Sequence, residues 1–152
     1  MRSITKENVT IHAFGSKLDG IDYIDRRGAY AVIANSAKEI AVLETKEGYF
    51  LPGGGIDPGE TEREALKREL IEEIGYQASV IAELGAAVEY INAAKVEKHY
   101  QIRSRFYNVQ LDSKIGEGVE RDHRLVWLPQ EDACRLLTRQ SQVWAVQNMA
   151  KA

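Results

Sequence analysis

Residues 51–76 read LPGGGIDPGETEREALKRELIEEIGY, and this stretch decides how the rest of the chain is interpreted. A glycine-rich loop comes first, followed by a proline–glycine pair that breaks the chain. Thr61 and Glu64, three residues apart, form the pattern of a helix capping box. Gly75 stands where a C-cap glycine ends a helix. The stretch therefore predicts a loop followed by one helix over residues 61–74.

The acidic residues of this helix are spaced so that three of them share one face. At about 100° per residue, Glu69, Glu72 and Glu73 lie close together, and an apolar face adjoins them. That apolar face consists of Leu66, Leu70, Ile71 and Ile74. Crowded carboxylates raise one another's pKa unless a cation neutralises them, and Mg²⁺ or Mn²⁺ prefers such oxygen ligands. Arg68, one turn before Glu72, is placed to orient a carboxylate.

A solvated acidic helix face with i,i+4 ion pairs is the ordinary alternative for such a pattern. The glycine-rich loop that enters the same helix favours the metal site, because backbone at glycine can approach a metal or a phosphate closely. Gly53 and Gly54 are therefore candidate substrate-binding residues.

The same residues resemble the Nudix box of the Nudix, or MutT-like, hydrolases. That box consists of Gly, five residues, Glu, seven residues, and then Arg-Glu-apolar-any-Glu-Glu-any-Gly-apolar. The matching positions in this chain are Gly54, Glu60, Arg68, Glu69, Leu70, Glu72, Glu73 and Gly75. Tyr76 stands at the final aliphatic position, a departure that we expect to affect packing only.

The resemblance implies an α+β fold, an α/β/α sandwich in which a mixed sheet packs between helices. It implies a hydrolase that cleaves a diphosphate linkage in a nucleoside diphosphate derivative or nucleotide by water attack on phosphorus. It also implies Mg²⁺ or Mn²⁺ held by Glu69, Glu72 and Glu73 with the Gly54 carbonyl. Arg68 would support the site, and Glu72 or Glu73 is the candidate proton acceptor.

Two groups of candidate residues lie outside the box. Many family members add an acid before a late strand, and Glu120 is the first choice here, with Glu117 second; an exposed acidic loop is the alternative for both. Arg103 and Arg105 point to one face of a predicted strand and are candidate phosphate ligands. A solvent-facing arginine pair is the alternative.

Periodicity and turn residues predict the elements around the box. Strands are expected over residues 9–14, 29–34, 40–44, 79–91, 100–111 and 125–128. The second and third of these are expected to pair through a loop at residues 35–38. Helices are expected from about residue 129 and over residues 141–149, with Trp144 as a core anchor. The absence of βαβ alternation favours a mixed sheet over a doubly wound parallel one.

Length and charge set broader limits. The chain has 152 residues, 44% of them apolar, and a net charge of −3, which predicts one domain over residues 1–152. The acidic balance and the lack of a long basic stretch argue against a nucleic-acid partner. No stretch approaches the ~18 apolar residues of a membrane span, and the first residues lack the apolar core of a signal peptide. A cytoplasmic protein is therefore expected.

Two rival functions remain at this level. One is a non-catalytic Nudix-fold module that binds a nucleotide as a sensor, and the other is a purely structural acidic domain. The intact glutamates at the metal positions argue against the first, and the glycine loop argues against the second. The expected partner is a small nucleotide or nucleoside diphosphate derivative, and family members are often homodimers. The particular substrate does not follow from the residues.

Overall fold

The computed structural model describes residues 2–6, 9–93, 98–118 and 122–149. Along the chain lie β1 (Arg2–Lys6), β2 (Val9–Phe14), β3 (Ile24–Val32), β4 (Glu39–Thr45), β5 (Gly48–Phe50), β6 (Gly53–Gly55), α1 (Glu62–Ile74), β7 (Tyr76–Ala93), β8 (Lys98–Lys114), β9 (Arg124–Pro129), α2 (Gln130–Leu136) and α3 (Gln140–Met149). No helix in these ranges is both long enough and apolar enough to cross a membrane.

The strands form two sheets. The larger sheet has the order β1-β2-β7-β8-β3-β6, and the smaller has the order β5-β4-β9. In the larger sheet β2 runs parallel to β7 and β3 runs parallel to β8, while the other neighbours are antiparallel. The expected mixed sheet is therefore confirmed.

Side chains that alternate along β3 supply two cores, one on each face of the larger sheet. Ala29 and Ala31 pack in one core with the buried face of α1. Tyr30 and Val32 pack in the other with residues of α2 and α3. The sheet thus lies between α1 and the two C-terminal helices, which confirms the α/β/α sandwich.

Helix α1 has the ends that the sequence predicts. The Thr61 side chain accepts a hydrogen bond from the Glu64 backbone N–H, and the Glu64 carboxylate accepts one from the Thr61 N–H. Gly75 is the C-cap, with φ at 74°. The buried face differs in one place, because Ile71 is 40% exposed while Ala65 is fully buried. The apolar face is rotated slightly from the predicted one.

The expected pairing of the strands at residues 29–34 and 40–44 is limited to the turn, where Ala34 and Ile40 form one antiparallel bridge and the Ala41 N–H donates a 2.9 Å hydrogen bond to the Ile33 carbonyl. The turn between them forms, and the Asn35 side chain accepts hydrogen bonds from the backbone N–H groups of Ala37 and Glu39. Beyond the turn the strands separate into different sheets. The edges of β3 are occupied by β8 and β6, so β4 pairs with β5 and β9 instead.

The longest strands, β7 and β8, form an antiparallel hairpin that supports both cores. Within the strand expected over residues 79–91, the register shifts between Glu83 and Gly85. Trp144 of α3 packs against this point, since a Cβ on Gly85 would lie 2.8 Å from its ring. Trp144 also contacts Phe14 and Phe106, so its role as a core anchor is confirmed.

Candidate active site

Two carboxylates of α1 pack directly on the glycine-rich loop. The backbone N–H of Gly53 donates a 2.8 Å hydrogen bond to Oε1 of Glu73. The Glu69 carboxyl lies so close to Gly54 that a Cβ there would stand 2.6 Å from its Cδ atom. A side chain at Gly54 would displace Glu69, so glycine is required for this approach.

Arg68 joins the loop to the acidic face of α1. Its Nε donates to Glu60 Oε2 at 2.8 Å, and its Nη1 donates to Glu69 Oε1 at 3.0 Å and to Glu72 Oε2 at 3.3 Å. Its Nη2 also donates to the Gly55 carbonyl at 3.1 Å. The expected contact with Glu72 is therefore present, and it belongs to a larger network.

These contacts change the acidity of the network. The hydrogen bond from Arg68, helped by the Asp57 backbone N–H, lowers the pKa of Glu60 to about 2. The same hydrogen bond raises the pKa of Arg68. Burial raises the pKa of Glu69, and the Arg68 hydrogen bond opposes this shift. Glu60 is thus ionised near neutral pH as the partner of Arg68. Glu69 is a largely buried carboxylate, 18% exposed, whose charge would be costly without the Arg68 guanidinium or another cation.

The donor set fits a hard divalent cation in chemistry, although the carboxylates do not converge in this structure. Within the described ranges no three Asp, Glu, His or Cys side chains are grouped as a metal site. The reason is that Arg68 bonds to both Glu69 and Glu72, while Glu73 faces Gly53. Metal binding would require the Glu69 and Glu72 carboxylates to turn away from the guanidinium by a change of side-chain rotamer.

A cavity of about 380 Å³ opens beside the loop. Gly53, Gly54 and Glu73 lie in its wall. Another part of the wall is formed by Tyr30, Phe50, Glu89, Ser104, Arg139 and Gln142. The Arg139 guanidinium lies 5.5 Å from the Phe50 ring centroid, and the amide oxygen of Gln142 accepts a 2.8 Å hydrogen bond from the Leu51 N–H. The cavity therefore joins an aromatic and cationic wall to Glu73, one of the box carboxylates.

Arg103 and Arg105 lie elsewhere. They line a second cleft of about 320 Å³, which is not the cavity that contains Glu73. Arg103 pairs with Asp25, and Arg105 pairs with Glu83. Their predicted role as phosphate ligands stays a prediction, and the structure does not bring them together with the box glutamates.

The late acids fall in a segment whose flanks lie beside α1. Glu120 lies outside the described residues. Glu117 has an 89% exposed side chain and pairs with Lys114. A Cβ on Gly118 would lie 2.3 Å from the Glu73 carbonyl oxygen, and His123 Nδ1 is 3.8 Å from Glu73 Oε2. Both sides of residues 119–121 are thus placed near the end of α1 that carries Glu73.

Sequence reasoning missed most of the cavity wall, including the polar residues Glu89, Arg139 and Gln142. Glu89 carried a signal, because it is a single acid within the otherwise apolar residues 84–91. Arg139 and Gln142 carried none, since their relation to the loop arises only when α3 docks near β5.

Comparisons with known proteins identify the class to which this fold and site belong. The NUDIX domain family matches residues 25–146, so the chain belongs to that family. The resemblance in the box is thereby confirmed, and so is the expected enzyme class, a Nudix hydrolase, at the level of the family.

Individual relatives agree with this assignment. A Bacillus subtilis protein provisionally named an 8-oxo-dGTP diphosphatase is 39% identical over 61 residues, which cover 39% of this chain and 41% of that protein. The mouse asymmetrical bis(5'-nucleosyl)-tetraphosphatase is 29% identical over 122 residues, covering 74% of this chain and 79% of that enzyme. The MutT protein of Methanosarcina mazei has a similar structure, with a TM-score of 0.66, 19% identity, and coverage of 87% of this chain and 97% of that one.

Proposed function

We propose that the protein is a divalent-metal-dependent hydrolase of diphosphate linkages in a nucleotide or nucleoside diphosphate derivative. One observation carries the proposal: Glu73 is held by the glycine loop and also forms part of the wall of the 380 Å³ cavity. A ligand that fills this cavity has its phosphates within reach of the box carboxylates. Small-molecule sites of this size are typical of nucleotide-sized ligands.

The cavity wall supports a specific orientation of the ligand. Phe50 offers an aromatic face and Arg139 a guanidinium plane, so the nucleobase is proposed to lie against this pair. The phosphates then extend toward Gly53 and Gly54, where the backbone can approach them closely.

The acidic face of α1 is proposed as the catalytic centre. Glu69, Glu72 and Glu73, with the Gly54 carbonyl, would hold Mg²⁺ or Mn²⁺. When bound, the cation supplies charge neutralisation on the diphosphate and acidifies the attacking water. Glu72 or Glu73 accepts the proton, Arg68 holds the carboxylates between turnovers, and Glu120 is proposed as an additional acid.

The named relatives support two substrate types. One is named for an oxidised nucleoside triphosphate and the other for a dinucleoside tetraphosphate, and both contain nucleotide diphosphate linkages. We include both types in the proposal. We also propose a single domain that acts in the cytoplasm on small molecules, without membrane or nucleic-acid partners, as a homodimer.

The test is a hydrolysis assay with a nucleotide panel. The purified protein is incubated with 8-oxo-dGTP, ordinary nucleoside triphosphates, a dinucleoside tetraphosphate and nucleoside diphosphate sugars, each with Mg²⁺, Mn²⁺ or chelator. We expect hydrolysis of at least one compound with metal only. Glu72→Gln and Glu73→Gln should each reduce kcat/KM by about 100-fold or more, as expected when a group central to a charge-stabilising site is removed.

Glu131→Gln is the matched control, because Glu131 is an exposed acid in the first turn of α2. It should retain wild-type rates. Full activity in chelator, or in both box variants, would refute the metal mechanism. Tight nucleotide binding without turnover of any panel compound would favour the sensor function instead.

A further inference from the structure

Glu89 is a buried carboxylate that the proposed chemistry does not use. It lies on β7, is only 6% exposed and forms part of the cavity wall. A buried carboxylate is costly unless hydrogen-bond donors satisfy it. The structure shows where those donors come from, and all of them belong to one element.

The start of α3 supplies the donors. Glu89 Oε1 accepts a 3.0 Å hydrogen bond from the Ser141 backbone N–H and a 2.6 Å one from its hydroxyl. Glu89 Oε2 accepts a 3.2 Å bond from the Gln140 N–H. These N–H groups belong to the first turn of a helix, where they lack partners within the helix and favour a negative charge. Glu89 therefore anchors the start of α3 to the sheet.

The residues next to this anchor face the proposed ligand. Arg139 precedes Gln140 and lies over Phe50. Gln142 follows Ser141 and accepts a hydrogen bond from the Leu51 N–H. Leu51 leads directly into Pro52 and the glycine loop. A continuous path of contacts thus runs from Glu89 through the start of α3 to the residues that enter the loop.

We infer that Glu89 is a positioning residue. It sets ligand affinity by holding Arg139 and Gln142 in their places in the cavity wall. The inference rests on the proposed function, because the ligand is the nucleotide of that proposal. Glu89 does not touch the reacting atoms in this scheme. Its loss should therefore weaken ligand binding while the box glutamates retain their chemistry.

The test uses Glu89→Gln and Ser141→Ala in the full chain, with the nucleotide that the wild type hydrolyses fastest. Each variant weakens the hydrogen bonds between Glu89 and the start of α3. Since a hydrogen bond to a charged group is lost or weakened and the cavity wall is less firmly held, KM should rise about tenfold. The kcat value should stay within about twofold, since catalytic groups are untouched. Hydrogen–deuterium exchange at the amides of Gln140, Ser141 and Leu51 should become faster in the free protein.

Asn148→Ala is the matched control. Asn148 lies at the other end of α3 and donates a 2.6 Å hydrogen bond to the Leu84 carbonyl, away from the cavity wall. This variant should lower the thermal midpoint without changing KM. The inference is overturned if KM rises equally in Asn148→Ala and Glu89→Gln, or if an active Glu89→Gln keeps the wild-type KM.

The exchange measurement separates this inference from the proposed function. A wild-type protein that hydrolyses no panel nucleotide refutes the proposed function. Hydrogen–deuterium exchange alone then tests whether Glu89 anchors the start of α3. Unchanged exchange at Gln140, Ser141 and Leu51 in Glu89→Gln would refute the anchor even in an active enzyme.

Discussion

At the scale of single residues, Arg68 determines the state of the acidic face. Its guanidinium reaches Glu60, Glu69 and Glu72, so it acts as an internal cation for carboxylates that would otherwise repel one another. Surface ion pairs alone contribute little to stability. The main contribution of Arg68 is therefore to position side chains, because it holds Glu69 and Glu72 beside the glycine-rich loop.

The acidity of Glu60 tests this role. Its pKa is lowered to about 2 mainly by the Arg68 hydrogen bond, so the stabilising contact is present above about pH 4.5 and is lost as the pH falls through about 2. Arg68→Ala should raise the pKa of Glu60 toward 4.5, although the Asp57 N–H keeps part of the shift. An NMR titration of the Glu60 carboxyl carbon measures the change.

Arg63→Ala provides the comparison, because Arg63 is on the same helix but lies over the Tyr107 ring. The pKa of Glu60 should remain near 2 in this variant. A Glu60 pKa that is equally low in Arg68→Ala would show that the guanidinium is not the cause.

At the scale of elements, both ends of α1 are specified locally, yet the C-terminal end also has a tertiary role. Gly75 adopts φ of 74° as the C-cap, and a Cβ there would lie 2.0 Å from the Gly116 carbonyl oxygen. Glycine is therefore needed at position 75 for two reasons. The backbone is left-handed there, and the segment that leads to Gly118 approaches it closely. The end of the helix and the position of this segment are coupled.

Gly75→Ala and Gly20→Ala separate these two requirements. Both glycines have φ of 74°, but nothing lies within 4 Å of a Cβ on Gly20. Gly20→Ala should lower the free energy of unfolding by about 1 kcal/mol, the cost of a left-handed alanine. Gly75→Ala should cost at least about twice as much, because it adds a backbone collision. Urea unfolding measures both, and equal losses would contradict the coupling.

At the scale of the whole molecule, the two cores share the strands of one sheet. Trp127 of β9 packs against the core that contains α1, and Trp144 of α3 packs against the other. Because β3, β7 and β8 contribute to both cores, loss of these strands would disrupt both cores at once. We therefore expect the chain to unfold as one cooperative unit, in accordance with the single domain predicted from its length.

Single-tryptophan variants test this cooperativity. The chain has two tryptophans, so Trp127→Phe leaves a reporter in the α3 core and Trp144→Phe leaves one in the α1 core. In each variant, the urea midpoint from fluorescence should match the midpoint from far-UV circular dichroism. Separate midpoints in either variant would indicate that the two cores unfold independently.

The sequence by itself determined the features that depend on spacing along the chain. The capping box at Thr61, the C-cap at Gly75 and the shared face of Glu69, Glu72 and Glu73 all lie within one helix, where periodicity places side chains directly. The box also indicated the family, because its residues match the family pattern at fixed spacing over a short stretch.

Only the tertiary structure decided what depends on docking between distant segments. The pairing predicted between β3 and β4 does not extend beyond the turn, because β8 and β6 occupy the two edges of β3. Arg103 and Arg105 line a cleft other than the cavity that contains Glu73. The hydrogen-bond partners of Glu89 belong to α3, some fifty residues later in the chain, and they reach Glu89 only because α3 packs on β7. Such contacts arise from the packing of whole faces, and no local pattern of residues specifies them.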